Sequence, residues 1–244
     1  MRWRIWQRAP VAVRHRYPSA EMGPLPSSDL TVRHPMDCSE TLRIALFGTS
    51  ADPPHRGHAA ILSWLATQFD HVAVWTANNP FKAHQTDLGD RFRMLELLID
   101  ELDTPSGRVQ VHPELSHMRT VVTLERARQI WPNAQFSLVV GADLVEQLPT
   151  WYRAEEIFAV VDILVIPRPG YGLTEAGLAD LRQHTRVTVA AMPAIDVSSS
   201  RYRQCDDAPD PARAPKLTPA VQAYIAQHHL YPCPQNSNEP LTTL

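Results

Sequence analysis

The sequence predicts an α/β domain built on one doubly wound parallel sheet. Three observations carry this. Short runs rich in Val, Ile, Leu and Ala recur from residue 42 to residue 190, and most do not alternate apolar with polar, as strands covered on both faces should not. Helical patterns, with apolar residues three and four positions apart, fall between those runs. Strand and helix therefore alternate along the chain, the order that βαβ units require. In such a sheet ligands bind beyond the carboxyl ends of the strands, near the point where strand order reverses.

Taken in order, residues 1–40 differ from the rest. The first twenty carry Arg2, Arg4, Arg8, Arg14 and Arg16 without an acid, and Pro24, Pro26 and Pro35 follow. With no apolar core, the stretch does not read as a secretory signal. It is expected to be a disordered extension, or a start set too far upstream of Met22 or Met36. The expected strands are Leu42–Phe47, His71–Ala77, Arg108–His112, Gln135–Gly141, Asp162–Pro167 and Arg186–Ala190. The expected helices are His58–Gln68, Asp90–Leu102, Val121–Ile130, Arg153–Phe158, Glu175–His184 and Pro219–His228. After Tyr231 the polar, Pro-bearing residues 232–244 read as a flexible tail, leaving 41–231 as a single domain.

Composition narrows the function. Of 244 residues, 44% are hydrophobic and 20% charged, as in ordinary soluble proteins, and the net charge of −3 offers no basic field for nucleic acid or an anionic membrane. Cys38, Cys205 and Cys233 lie far apart with no CxxC, which fits a reducing, cytoplasmic setting and neither a disulfide framework nor a structural zinc site.

Four places hold chemistry-bearing residues. Between the first strand and its helix lies GTSADPPHRGH, with Gly48, Thr49 and the pair His55 and His58 around Gly57. A strand, a tight turn and a helix N-terminus gather unpaired N–H groups, and two imidazoles three residues apart can face one anion. A surface His pair or part of a zinc site is the plainer alternative. Lys82 follows the second strand, the place for a cation facing a substrate phosphate, and Arg91 opens the next helix, where a ligand or ion pair could hold it. Solvated surface charge is the alternative for both, and Arg93 reads as one. Asp143 stands just past a strand end, where a carboxylate accepts from ribose hydroxyls or caps the next helix. Trp151 nearby could stack on a flat heteroaromatic ring or belong to the core. Ser198, Ser199, Ser200, Arg201 and Arg203 offer hydroxyls and guanidinium groups to a polyphosphate, or a serine cap beside surface arginines.

GTSADPPHRGH near the start and SSSRYR near the end resemble the nucleotidyltransferase superfamily, with its (H/T)xGH loop and late SSTxxR-type motif. GAD with Trp151, the RPG of Arg168–Gly170 and LTPAVQAYIAQHHLY narrow the resemblance to bacterial nicotinate-nucleotide adenylyltransferase, over about residues 42–231. The resemblance implies a Rossmann-like fold and transfer of AMP from ATP to nicotinate mononucleotide, giving deamido-NAD and pyrophosphate, with Mg²⁺ accompanying ATP and no metal bound by the protein alone. It implies His55, His58 and Arg203 as catalytic residues. Gly48, Thr49, His55, His58, Asp143, Ser199, Ser200 and Arg203 would hold ATP; Asp52, Lys82, Thr120 and Trp151 would hold the mononucleotide. Three departures stand out. The family's GGTFDP reads GTSADP, the tyrosine of its SYT segment is Arg119, and the threonine of SSTxxR is Ser200. Nicotinamide mononucleotide or another phosphorylated acceptor stays open, as do a non-catalytic nucleotide binder and a homo-oligomeric state.

Overall fold

The computed structural model describes residues 41–78, 85–170, 172–193, 199–203 and 216–232. Six strands form one sheet: β1 (Arg43–Thr49), β2 (His71–Thr76), β3 (Val109–Val111), β4 (Gln135–Gly141), β5 (Asp162–Ile166) and β6 (Val187–Val189). All neighbouring pairs are parallel, in the order β3-β2-β1-β4-β5-β6. The helices between and after them are α1 (Arg56–Gln68), α2 (Leu88–Asp100), α3 (Thr120–Ile130), α4 (Ala154–Phe158), α5 (Glu175–His184), α6 (Ser199–Arg203) and α7 (Pro219–Gln227). This is the expected doubly wound α/β sheet, with strand order reversing between β1 and β4. The expected extension 1–40, Lys82, Ser198 and residues 233–244 lie outside the described residues.

Both faces of the sheet are covered, which explains why its strands lack polar alternation. On β1, Ile44 and Leu46 pack with α3, α4 and α5, through Leu124, Ile157 and Leu181 among others. Ala45 and Phe47 point the other way, to Leu62 and Leu65 of α1, Met94 and Leu98 of α2, and Val221 of α7. The larger side chains among these are fully or almost fully buried. At about 25 cal/mol per Å² of apolar area, the two clusters supply the main drive for folding.

The strand register makes the crevice. β1 pairs with β4 only from Arg43–Gln135 to Leu46–Leu138. Beyond that point β1 stays paired with β2 as far as Thr49–Thr76, and β4 with β5 as far as Gly141–Ile166. The two central strands thus part company over their last three residues, opening a cleft at the switch point. Past β4 the chain enters a nine-residue 3₁₀ segment, Ala142–Thr150, where the sequence pattern offered no element. Pro149 inside it and the short apolar spacing hid it from a helical reading.

Candidate active site

On the β1 side of the crevice, the loop 50–55 is locked by its own side chains. His55 caps α1, its Nδ1 accepting from the Gly57 N–H at 3.1 Å. The His55 N–H donates to Nδ1 of His58 at 3.1 Å, completing a reciprocal capping box. Because both Nδ1 atoms accept from backbone N–H groups, each ring carries its proton on Nε2. The His58 Nε2–H then donates to Thr49 Oγ1 at 2.9 Å, which also accepts from the Ala51 N–H at 3.3 Å. The two rings lie 3.9 Å apart between centroids. Burial, reinforced by the Arg168 charge, lowers the His55 pKa to about 4. Burial, then the neighbouring His55 and Arg168, also pushes His58 well below its ordinary value. Both are neutral donors at physiological pH.

Asp52 is the centre of a second set of contacts. It is 1% exposed. Its Oδ1 accepts from the Tyr231 hydroxyl at 2.6 Å, while Oδ2 has no hydrogen-bond partner and lies 3.9 Å from the Arg203 guanidinium. Arg203 also donates to the Asp52 carbonyl and, at 3.4 Å, to Ser200 Oγ. Ser199 Oγ donates to the Pro53 carbonyl at 2.9 Å, docking α6 on the loop. Arg91, 3% exposed, donates to the carbonyls of Ser50, Ala77 and Thr86, so it ties the loops after β1 and β2 together. The sequence offered it a ligand, an ion pair or solvent; its guanidinium is instead engaged with backbone.

Across the crevice, Asp143 follows β4. Its Oδ2 accepts from Arg168 at 2.8 Å, and its Oδ1 is buried with no partner. Gly141 is required here, because a Cβ would stand 2.3 Å from Asp143 Oδ1 and 3.2 Å from Arg168 Cδ. Gly48 has an equally specific reason: its Cβ would meet the Trp75 indole at 2.7–3.0 Å. A hollow beside Asp143 is bounded by Glu146 and Gln147 on one side and Gly170, Gly172 and Thr174 on the other. Among the described residues no three His, Cys, Asp or Glu side chains gather as a metal cage, and no helix is long and apolar enough to cross a membrane.

Residues 46–205 match the cytidylyltransferase-like family. A probable nicotinate-nucleotide adenylyltransferase of Synechocystis sp. is 44% identical over 207 residues, covering 78% of this chain and 99% of that protein. Another from Bacillus pumilus is 33% identical over 203 residues, covering 78% and 98%. The chain belongs to the nicotinate-nucleotide adenylyltransferase family. In three dimensions it is similar to Plasmodium falciparum nicotinic acid mononucleotide adenylyltransferase complexed with NaAD, with a TM-score of 0.66 at 18% identity, over 78% of this chain and 97% of that one. The same enzyme complexed with APC gives a TM-score of 0.64. At such identity the likeness shows the fold.

For this family member, the structure gathers His55, His58, Thr49, Asp52, Ser199, Ser200 and Arg203 around one loop. Gly48 lies at the end of the same strand, and Asp143 lies across the cleft with Arg168. Thr120 opens α3, and Trp151 closes the 3₁₀ segment, half-buried against the core on the α3 side. Neither is hydrogen-bonded to the loop among the described residues. Asp52, expected at the mononucleotide, turns inward to Tyr231 and Arg203. Arg119 lies over the Tyr152 ring, 4.4 Å from its centroid. Two residues of the site were not singled out by chemistry. Arg168 follows a strand end, a signal that could have found it. Tyr231 has no such signal, since its partner lies 179 positions away.

Proposed function

We propose that this chain transfers AMP from ATP to nicotinate mononucleotide, giving deamido-NAD and pyrophosphate. The observation that carries the mechanism is the pair of neutral, buried imidazoles at the N-terminus of α1, each with its proton on Nε2. The mononucleotide phosphate is already a nucleophile, so no activating base is needed. One of its oxygens bonds to the α-phosphorus of ATP as the bond from that phosphorus to the bridging oxygen breaks, and pyrophosphate leaves with the electron pair. Catalysis then rests on alignment and on donors aimed at the charge that develops.

In this reading His58 exchanges its Thr49 acceptor for a phosphate oxygen, and the His55 Nε2–H reaches the same group. Arg203, Ser199 and Ser200 hold the β and γ phosphates. Asp143 Oδ1, buried without a donor, accepts from a ribose hydroxyl, and Gly48 and Thr49 line the nucleotide. Lys82, Thr120 and Trp151 are assigned to the mononucleotide, Trp151 by stacking on the pyridine. Mg²⁺ enters with ATP as part of the substrate, held by phosphate oxygens and water.

The test is pyrophosphate release by the full chain with Mg-ATP and, in parallel, nicotinate mononucleotide, nicotinamide mononucleotide or phosphopantetheine. A strong preference for the first is expected. Release with none of them, despite ATP binding, would overturn the reading in favour of a nucleotide-binding protein.

A further inference from the structure

Tyr231 stands at the far end of the chain from the loop it touches, and three observations single it out. Its backbone is left-handed, with φ 55°, a conformation a bulky residue seldom adopts and that persists only where the surroundings over-determine it. That conformation delivers the ring edge-on to Tyr202 of α6, with centroids 5.9 Å apart. It also delivers the hydroxyl to Asp52 Oδ1 at 2.6 Å. The carboxylate so gripped is almost wholly buried, and its other oxygen, without a hydrogen bond, faces the Arg203 guanidinium at 3.9 Å.

A buried carboxylate with one oxygen held and one oxygen bare is an orienting group for the nearest cation. Arg203 is that cation, and its side chain is about one-third exposed. We propose that Tyr231 is a positioning residue for ATP: its hydroxyl fixes the Asp52 carboxylate, which in turn aims Arg203 at the triphosphate. The C-terminal segment thereby becomes part of the nucleotide site without touching the nucleotide. This rests on the reading of Arg203 as a phosphate ligand. Without the phenol, Asp52 turns to pair more closely with Arg203 and draws the guanidinium away from the ligand.

The experiment compares the full chain with Tyr231→Phe, Arg203→Ala, the double variant, and Tyr224→Phe. The last removes a hydroxyl of α7 that donates to Asp90 of α2 at 2.8 Å, and serves as the control for the C-terminal segment. Two readouts are taken: KM for ATP and for nicotinate mononucleotide from pyrophosphate release, and calorimetric binding of inorganic tripolyphosphate. Tyr231→Phe is expected to raise KM for ATP and weaken tripolyphosphate about tenfold, the order expected when a hydrogen bond to a charged group is lost. KM for the mononucleotide should stay within about twofold, and in the Arg203→Ala background the same change should add no more than about twofold.

Equal factors in both backgrounds would overturn the proposal, as would unchanged tripolyphosphate binding by Tyr231→Phe. So would a Tyr224→Phe variant that reproduces the loss, or a wild type that does not bind tripolyphosphate. If the wild type binds tripolyphosphate through Arg203 yet releases no pyrophosphate, the proposed reaction fails, and calorimetry alone decides the role of Tyr231.

Discussion

On one bank of the crevice, the loop between β1 and α1 supplies its two imidazoles with partners from within. On the other, the turn after β4 leaves Asp143 Oδ1 buried with none. On the first bank the two imidazoles are oriented before any ligand arrives. Their tautomers are set by backbone donors and the rings are held neutral by burial, so a phosphate oxygen need only take the place of Thr49 at His58 Nε2. The second bank is unfinished. A buried carboxylate oxygen without a donor is unfavourable by about 1–3 kcal/mol, and a hydroxyl that reaches it recovers that energy as binding. A site can thus assign fixed donors to the reacting phosphates and an unsatisfied acceptor to the part of the ligand it must recognise.

The sharpest way to break the contrast is to empty the first bank. His58→Ala removes both a donor and half of the capping box, and kcat for pyrophosphate release should fall by about 10²–10³. Near-normal turnover at saturating substrate would mean the imidazole is structural only. Arg91 supports the same bank from behind. Arg91→Leu removes the donors to the carbonyls of Ser50, Ala77 and Thr86, and urea unfolding should show a loss of about 2–4 kcal/mol.

The neutral imidazoles also make this bank acid-sensitive. His55 titrates at about 4 in the folded chain, against 6.5 when unperturbed, so between those values the unfolded state binds a proton that the folded state refuses. Its contribution is fully present above pH 6.5 and is lost as pH falls toward 4. Unfolding free energy should drop by about 2–3 kcal/mol from pH 7.5 to 4.5 on account of His55, and His55→Asn should flatten that slope. A slope unchanged by His55→Asn would count against a buried neutral ring.

On the unfinished bank, Gly141→Ala places a methyl 2.3 Å from Asp143 Oδ1 and must displace it. KM for ATP should rise about tenfold while KM for the mononucleotide stays put, a split readable from initial rates. The smallest effect belongs to Arg119, which rests on an exposed Tyr152. Arg119→Ala should lower stability by no more than about 1 kcal/mol in thermal unfolding.

The same contrast runs through what was legible in the sequence. His55, Gly57 and His58 act on one another across three positions, and so do Ser200 and Arg203, so spacing along the chain carries their geometry. Strands and helices were legible for a related reason. Both sheet faces are covered, which leaves unbroken apolar runs, and helix faces repeat every three to four residues. The 3₁₀ segment after β4 was not, because its bonding leaves no periodic stripe long enough to read.

By itself, then, the sequence determined what is local: the βα order, the loop at the first helix, and the donor chemistry placed in it. Only the tertiary structure decided which of those groups are committed elsewhere. Arg91 reaches carbonyls on two loops, Arg168 reaches Asp143 from beyond β5, and Tyr231 reaches Asp52 across 179 positions. Such contacts depend on where the sheet splays and how α6 and α7 dock. Those are set by packing among residues far apart in sequence, which no local pattern encodes.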